Sequence, residues 1–281
     1  MAQSDRSDGV AGSDPLAPFE HALRNRVPSR DALLAEAKAQ SARQRRRKQA
    51  LGGGLATVLL GFTVWSFDPS WHSEDVRTAV GQRDSLQLAD GSRVVLNSAT
   101  HLRIERRLRS RQIELLSGEA TFTVEHGDKP FIVRSQDVAV RDIGTVFNVR
   151  SDSRGVAVAV LEGEVEVSTR QSAPQRLQGG QQALAHAGRV GAGEVANMER
   201  VTAWQHGKLR FDGTPLSEVI TDIQRYRQAP VRLADPRLAS LRVSGEFDSD
   251  AVESLLDLLP VILPVALMRS DDGSVTISGR Y

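Results

Sequence analysis

Residues 85–97 read SLQLADGSRVVLN and set the pattern for the largest part of the chain. Apolar and polar side chains alternate on both sides of Asp90 and Gly91, which is typical of two half-buried β-strands. An Asp-Gly pair favours a tight turn because both of its residues tolerate positive φ angles. The stretch therefore predicts an antiparallel β-hairpin.

Two later stretches repeat this pattern of strand, glycine turn and strand. Residues 111–126, RQIELLSGEATFTVEH, predict a second hairpin at Gly118-Glu119. Residues 155–169, GVAVAVLEGEVEVST, predict a third at Glu162-Gly163. Recurring strands and glycine turns without helical stretches between them indicate an all-β architecture rather than βαβ units.

The stretch between these hairpins, residues 129–151, predicts two or three further strands. We therefore expect an all-β domain over residues 68–182, folded as a sandwich, a barrel or a short β-solenoid, because periodicity does not distinguish the three. The acidic residues of this region alternate with apolar ones and are expected on the solvated face of the strands. They are Glu114, Glu119, Glu162 and Glu164.

The composition changes after the β region. Residues 183–203 are rich in glycine and alanine and predict a linker. Residues 204–281 predict the order strand, helix, strand twice over, which indicates a small α+β domain of βαβ-βαβ type. In its first helix, Leu216, Val219 and Ile223 fall on one face at helical spacing.

Ahead of the β region lies an uncharged stretch, Ala50 to Phe67, with the sequence ALGGGLATVLLGFTVWSF. As a helix it would span roughly 27 Å, close to the thickness of the bilayer hydrocarbon. Five basic residues within Arg43–Lys48 precede it, so the positive-inside rule predicts a single-pass membrane protein with a cytoplasmic N-terminus. The alternatives are a cleaved or twin-arginine export signal and a buried soluble helix; the length of the stretch and its flanks favour an anchor.

The segment before this anchor, residues 1–49, carries a formal charge of +4 from ten basic and six acidic residues. An anionic membrane leaflet accounts for that charge, so we expect no direct nucleic-acid binding. The segment predicts short amphipathic helices, which either form a loosely ordered tail or fold against a partner. The apolar stripe that would contact a partner consists of Leu16, Phe19, Leu23, Leu33 and Leu34.

Catalytic and metal-binding motifs are missing from the sequence. There is no cysteine, and the six histidines are not spaced as metal ligands. Neither a nucleophile elbow nor a zinc-protease motif occurs. We therefore expect no cofactor, no metal and no turnover enzyme.

Several short runs resemble the FecR-like family of transmembrane anti-sigma factors, which regulate sigma factors. The β region carries Leu88-x-Asp90-Gly91-Ser92-x-Val94-x-Leu96-Asn97, Leu115-x-x-Gly118-Glu119-Ala120-x-Phe122-x-Val124 and Gly144-Thr145-x-Phe147-x-Val149. The run Trp204-x-x-Gly207-x-Leu209-x-Phe211 is similar to the short secretin/TonB-type domain at the C-terminus of these regulators.

The resemblance implies a location in the bacterial inner membrane, with residues 68–281 in the periplasm. It implies that the cytoplasmic segment binds an ECF-type sigma factor. The periplasmic part would receive a signal from the signalling domain of a TonB-dependent outer-membrane transporter, often one for iron chelates, and intramembrane or periplasmic proteases would release the cytoplasmic piece. For the transporter contact we expect an exposed edge of the last strand, with Val275 and Ile277.

One dipeptide, Gly144-Thr145, has a possible covalent role. Some members that resemble this family cleave themselves at a Gly-Thr bond, where the threonine hydroxyl attacks the preceding carbonyl. The alternative is a glycine bulge in a strand, followed by an ordinary β-branched residue.

Two other functional classes compete with a signal relay. One is an envelope scaffold or glycan-binding module, in which residues 1–49 would be inert. The other is a membrane-tethered hydrolase, which would require clustered polar residues in a pocket.

Overall fold

The computed structural model describes residues 29–31, 33–40, 43, 61–63 and 65–280. The chain divides into two units, Met1–Phe67 and Asp68–Tyr281. Of the predicted sigma-factor stripe, Leu16, Phe19 and Leu23 lie outside the described residues. So do residues 50–60 and 64 of the predicted membrane segment.

The described part of the first unit is helical. Residues 33–40 form helix, and Leu33 and Leu34 expose 51% and 52% of their surface. Residues 61–63 and 65–67 are also helical and exposed. Among the residues that the structure describes, none belongs to a helix with the length and apolar composition needed to cross a bilayer.

The second unit begins with a curled β-sheet of fourteen strands. They are β1 Ser70–Arg77, β2 Asp84–Gln87, β3 Arg93–Leu96, β4 His101–Arg107, β5 Arg111–Thr123, β6 Phe131–Ser135, β7 Val138–Asp142, β8 Val146–Asp152, β9 Gly155–Glu162, β10 Glu164–Thr169, β11 Gln175–Gln178, β12 Gln181–His186, β13 Arg189–Val190 and β14 Glu194–Val195. The predicted hairpin at Asp90-Gly91 is confirmed, because β2 and β3 pair antiparallel around it.

The long strand β5 joins two halves of the sheet. Its first half pairs with β4 and β6, whereas its second half pairs with β3 and β8. The predicted hairpin at Gly118-Glu119 is therefore wrong: the strand continues through Gly118, which has a φ of 92°. A side chain at Gly118 would overlap Thr100, so glycine permits both the bend and the close approach of the neighbouring backbone.

The glycine turn at Glu162-Gly163 is also a corner instead of a hairpin. β9 pairs with β8 and β12, while β10 pairs with β7 and β11. The chain therefore passes from one half of the sheet to the other at Gly163. Both corner glycines serve the curl of the sheet, which depends on contacts between strands distant in sequence.

One hydrophobic core fills the space between the two halves of the sheet. Phe122 stacks on Phe147 with ring centroids 5.2 Å apart, and meets Phe131 edge-on at 6.1 Å. The three rings are almost wholly buried. Alternate residues of β8, β9 and β10 point into this core, as the period-2 pattern predicts.

Residues 183–203, predicted as a linker, contain regular structure. β12 includes residues 183–186 and pairs with β9, burying Ala183 and Ala185 in the core. Helix α1 (Met198–Thr202) and a 3₁₀ turn (Ala203–His206) follow. Small side chains here reflect tight packing against a neighbouring strand, which composition cannot distinguish from a linker.

The remaining residues form a small α+β domain. Its elements are β15 Lys208–Pro215, α2 Leu216–Gln224, β16 Val231–Leu233, β17 Arg242–Asp248, α3 Val252–Ile262, β18 Val265–Arg269 and β19 Val275–Gly279. The predicted order of strand, helix, strand occurs twice, followed by β19. The strands form an antiparallel pair, β15-β17, and a three-stranded sheet ordered β16-β19-β18. Leu216, Val219 and Ile223 of α2 are fully buried in this domain's own core.

The last strand does not have the free edge that we expected. β19 lies between β16 and β18 and pairs with both. Val275 and Ile277 are fully buried. The prediction that this strand lends its edge to a partner is therefore wrong, because a parallel pairing with the distant β16 covers that edge.

Candidate functional site

The Gly-Thr turn, residues 142–145, connects β7 to β8. Asp142 is the last residue of β7, and Val146 is the first residue of β8. Two backbone hydrogen bonds fix the turn: Ile143 N–H donates to the Glu164 carbonyl, and Val124 N–H donates to the Thr145 carbonyl, each at 3.1 Å. The peptide bond between Gly144 and Thr145 is thus held by neighbouring strands on both sides.

Asp142 organises this turn with both of its carboxylate oxygens. The hydroxyl of Thr145 donates to Oδ1, and the backbone N–H of Gly144 donates to Oδ2 at 3.1 Å. Thr145 is 5% exposed. The buried hydroxyl of Thr145 therefore donates to a carboxylate three residues earlier in the chain. That carboxylate also lies next to the peptide bond that the hydroxyl would attack.

Gly144 adopts a backbone conformation that only glycine takes readily, with a φ of 100°. A side chain at Gly163 would overlap the Gly144 carbonyl oxygen, so the corner at Gly163 presses closely on this peptide. A Cβ at Gly144 would lie 3.1 Å from Nε2 of His126, which places that imidazole beside the glycine. Two other stretches of chain, around His126 and around Gly163, thus meet the turn at one peptide bond.

Sequence reasoning selected Gly144 and Thr145 but missed their two neighbours. Asp142 lies three residues before the threonine, and an acidic residue at that spacing could have been noticed as a turn former. His126 follows β5 at a distance in sequence, and only the fold brings it to Gly144.

A second polar constellation, the interdomain cluster, joins the β domain to the α+β domain. We define it as Asn97, Glu119, Asn148, Arg225 and Tyr226. Arg225 Nη1 donates to the Glu119 carboxylate. The side-chain amides of Asn97 and Asn148 donate to the same carboxylate, each at 2.9 Å. Glu119 was expected on a solvated face, but it is 4% exposed because the α+β domain covers it.

The charges of the interdomain cluster are stabilised by one another. Burial by itself raises the pKa of Glu119, but the Arg225 and Arg150 charges and the hydrogen bonds outweigh it and hold that pKa below its usual value. Burial lowers the pKa of Arg225, but Glu119 and Asp222 raise it further, so the guanidinium stays charged. Burial raises the pKa of Tyr226 to about 12, and its hydroxyl donates to Asn97 at 2.9 Å.

Further contacts surround this cluster and cross the same interface. Arg150 of β8 contacts Asp222 of α2 at 3.3 Å, and Arg154 contacts it at 3.5 Å. Gln205 donates to Thr121 of β5 at 2.9 Å. The two domains of the second unit therefore share a continuous polar interface with a buried ion pair at its centre.

The predicted transporter-contact residues Val275 and Ile277 are buried, and exposed apolar side chains lie elsewhere in the same domain. Exposed apolar side chains of the α+β domain occur on α3 and β18, where Val261 is 77% and Met268 is 68% exposed. Within residues 65–280, β18 pairs with β19 alone and leaves one edge unpaired. No group of three or more acidic or histidine side chains among the described residues is arranged to hold a metal ion.

Comparisons with known proteins match both domains of the second unit. The family model described as FecR protein matches residues 74–166, and the model described as FecR, C-terminal matches residues 208–277. No curated protein matches the sequence.

Two crystal structures from Parabacteroides distasonis ATCC 8503 are similar, each described as a candidate anti-sigma factor. The structure at 2.50 Å resolution has a TM-score of 0.64 and 28% identity, and the match covers 74% of this chain and 99% of that one. The structure at 1.65 Å resolution has a TM-score of 0.64 and 29% identity, and the match covers 73% and 98% of the two chains.

Proposed function

Because this chain belongs to the FecR family, we propose that it is a transmembrane regulator that binds an ECF-type sigma factor and controls its activity. One observation carries this proposal: the FecR and FecR C-terminal regions occur in order on one chain, and their fold is similar to that of a candidate anti-sigma factor. Such a regulator needs no active site for turnover. It needs a sensor joined to a sigma-binding segment.

In this proposal the chain crosses the bacterial inner membrane once, through residues 50–67. The basic cluster at Arg43–Lys48 supports a cytoplasmic N-terminus, since basic residues remain on that side. Residues 68–281 then form the periplasmic sensor.

The sigma factor binds the N-terminal segment through the apolar stripe at Leu16, Phe19, Leu23, Leu33 and Leu34. The exposed Leu33 and Leu34 support this assignment, because apolar side chains on a short helix gain most by packing against a partner. The periplasmic signal comes from the signalling domain of a TonB-dependent outer-membrane transporter, in the simplest case one for an iron chelate. Intramembrane or periplasmic proteases then release the cytoplasmic segment.

The transporter docks on the α+β domain at the unpaired edge of β18. Met268 of β18 and Val261 of the preceding helix α3 supply exposed apolar surface. Strand addition of this kind uses backbone hydrogen bonds for affinity and side-chain pockets for specificity. This surface replaces the edge of β19, which is already paired.

We also assign self-cleavage to the bond between Gly144 and Thr145. The positive φ of Gly144 and the buried Thr145 hydroxyl support it. Cleavage would yield residues 1–144 and 145–281, held together by the pairing of β8 with β5. Denaturing gels should show two bands for the wild type and one for Thr145→Ala, whereas a single full-length band in both would refute cleavage.

The regulatory function is tested by deleting residues 14–42 in the native host, which keeps the basic cluster at Arg43–Lys48, and measuring transcription from the sigma-dependent promoter. We expect the deletion to abolish the response to the transporter's ligand. Deletion of the polar residues 2–13 alone is the matched control and should leave the response intact. Normal control in the larger deletion would contradict the proposal and favour an envelope scaffold.

A further inference from the structure

We propose that Asp142 is the general base of cleavage at Gly144-Thr145, and that His126 assists the hydrolysis which completes it. This inference rests on the self-cleavage proposed above and names the groups that perform it. It follows from the positions of the two side chains around the peptide bond.

Asp142 is placed to remove the proton that must leave Thr145. Its Oδ1 already accepts the threonine hydroxyl, while its Oδ2 accepts the Gly144 N–H and fixes the carboxylate in the turn. Within residues 65–280, no basic side chain forms an ion pair with Asp142. The oxygen that accepts the hydroxyl can therefore take its proton as the hydroxyl attacks.

The backbone presents the bond to the hydroxyl. Gly144 holds a φ of 100°, and the close approach of Gly163 restricts movement of the Gly144 carbonyl. Val124 N–H holds the Thr145 carbonyl at 3.1 Å. A peptide fixed on both sides loses little further entropy when its own hydroxyl attacks, which favours the intramolecular reaction.

The first step moves one proton and exchanges one bond. Oγ1 of Thr145 attacks the Gly144 carbonyl carbon while its proton passes to Asp142. The bond from that carbon to the Thr145 nitrogen then breaks, and Asp142 returns the proton to the nitrogen. The product is an ester between Gly144 and the Thr145 side chain, with a free Thr145 amine, and the carboxylate is regenerated.

The second step consumes one water molecule. The exposed His126 imidazole lies beside Gly144, where it can take a proton from water as the water attacks the ester carbonyl. The bond to Oγ1 breaks, and the proton returns to that oxygen. Gly144 becomes a new C-terminal carboxylate and Thr145 a new N-terminus.

The test uses the full chain made by cell-free translation with radiolabelled methionine. Met1 labels the first fragment, and Met198 and Met268 label the second, so both are visible on a denaturing gel. Asp142→Asn keeps the size of the side chain and one of its two acceptor oxygens, but it is a poor base. We expect it to slow cleavage about 100-fold or more, the usual contribution of a general base. Thr145→Ser should still cleave.

Matched controls separate chemistry from folding. Asp137→Asn changes an exposed aspartate of the neighbouring β6-β7 turn and should cleave at the wild-type rate. His126→Gln should accumulate the ester, which hydroxylamine converts to two fragments within minutes. Resistance of each uncleaved variant to limited proteolysis reports whether its β domain is folded.

The outcomes distinguish the two proposals. An uncleaved wild-type chain would refute self-cleavage and this mechanism together. A cleaved wild type with equally fast Asp142→Asn would overturn the role of Asp142 and leave self-cleavage standing. If His126→Gln cleaves at the wild-type rate and hydroxylamine does not increase the amount of fragments, the role of His126 is overturned. Slow cleavage in a folded Asp142→Asn with normal Asp137→Asn supports the proposal.

Discussion

Glu119 is a carboxylate that the α+β domain buries, and its charge depends on a residue from that domain. Arg225 donates to it across the interface, and two asparagines supply the remaining hydrogen bonds. Burial of a paired charge contributes little net stability, but removal of one partner is costly because the other charge stays buried. The pair therefore makes correct docking of the two domains a condition of stability.

Arg225→Met should destabilise the unit formed by residues 68–281 by about 3–5 kcal/mol, because Glu119 would remain buried without its cation. The double variant Glu119→Gln/Arg225→Met should lose less, since neither charge is then buried. Urea unfolding of the two variants and of Glu119→Gln completes a double-mutant cycle. A loss below about 1 kcal/mol in Arg225→Met would show that the pair is dispensable.

The raised pKa of Tyr226 predicts how the stability of the same interface changes at alkaline pH. Burial raises its pKa from 10.0 to about 12. Between these values the unfolded chain has lost the phenolic proton while the folded chain keeps it, so the free energy of unfolding falls as pH rises through that window. Tyr226→Phe should lack this part of the loss. In Tyr281→Phe, Tyr226 is the remaining tyrosine, and its ultraviolet titration should have a midpoint well above 10.

Local signals and distant contacts together explain which strands, helices and turns could be predicted from the sequence. The hairpin at Asp90-Gly91 follows from its own residues, and so do the buried face of α2 and the order of the α+β elements. In sequence, the corners at Gly118 and Gly163 show the same pattern as the hairpin at Gly91. They differ from it because the strands that they join pair with partners far along the chain. The positive φ requires glycine in both cases, and only the partner strands decide between a hairpin and a corner.

The candidate sites also divide into residues with a local sequence signal and residues that only the fold brings together. Gly144 and Thr145 could be selected because they are adjacent in sequence, and Asp142 lies within the same turn. His126 comes from another strand connection and has no local signal. Glu119 alternates with apolar residues as a solvated acid does, and its burial depends on a second domain. The position of β19 depends on parallel pairing with β16, which no local pattern records.

The predicted apolar stripe of the N-terminal segment can be tested by mutation. Leu23→Asp together with Leu33→Asp should weaken sigma-factor binding about 100-fold or more, because each buried leucine contributes roughly 1.5–3 kcal/mol. Co-purification of the sigma factor with the full chain measures this. Gln40→Asp introduces the same charge at an exposed polar position of the helix and should bind normally. Equal recovery with both proteins would argue against the apolar stripe.

The proposed docking of the transporter at the unpaired edge of β18 can also be tested by mutation. Val261→Asp with Met268→Asp should reduce binding of the transporter's signalling domain at least tenfold, because each places a charge in the proposed apolar contact. Titration calorimetry with the purified domains measures the affinity. Val195→Asp is the control, since Val195 is 90% exposed in the β domain and lies outside the proposed surface. Undiminished affinity in the double variant would exclude this edge as the docking site.

The proposed relay requires that residues 1–144 and 145–281 stay connected, by the chain itself or by contacts between them. Glu119 lies before the Gly144-Thr145 bond and Arg225 lies after it, so the interdomain cluster would connect the two fragments after cleavage. β8 would connect them as well, through its pairing with β5. A signal received by the α+β domain could then reach residues 1–144 only through non-covalent contacts, of which these are two. Loss of the cluster should therefore affect signalling more strongly in a cleaved chain than in Thr145→Ala.

The orientation of the chain is the last requirement of the relay, and charge provides its test. Five basic residues precede the predicted membrane segment, while residues 68–281 carry 26 basic and 29 acidic residues. On this basis the positive-inside rule predicts a periplasmic second unit. Alkaline phosphatase fused after Tyr281, where it interrupts no strand, should be active. Replacing the five basic residues of Arg43–Lys48 with glutamine should lower that activity, because the orientation signal is weakened. Inactive phosphatase together with a fluorescent cytoplasmic fusion at the same position would reverse the topology and remove the basis of a transmembrane relay.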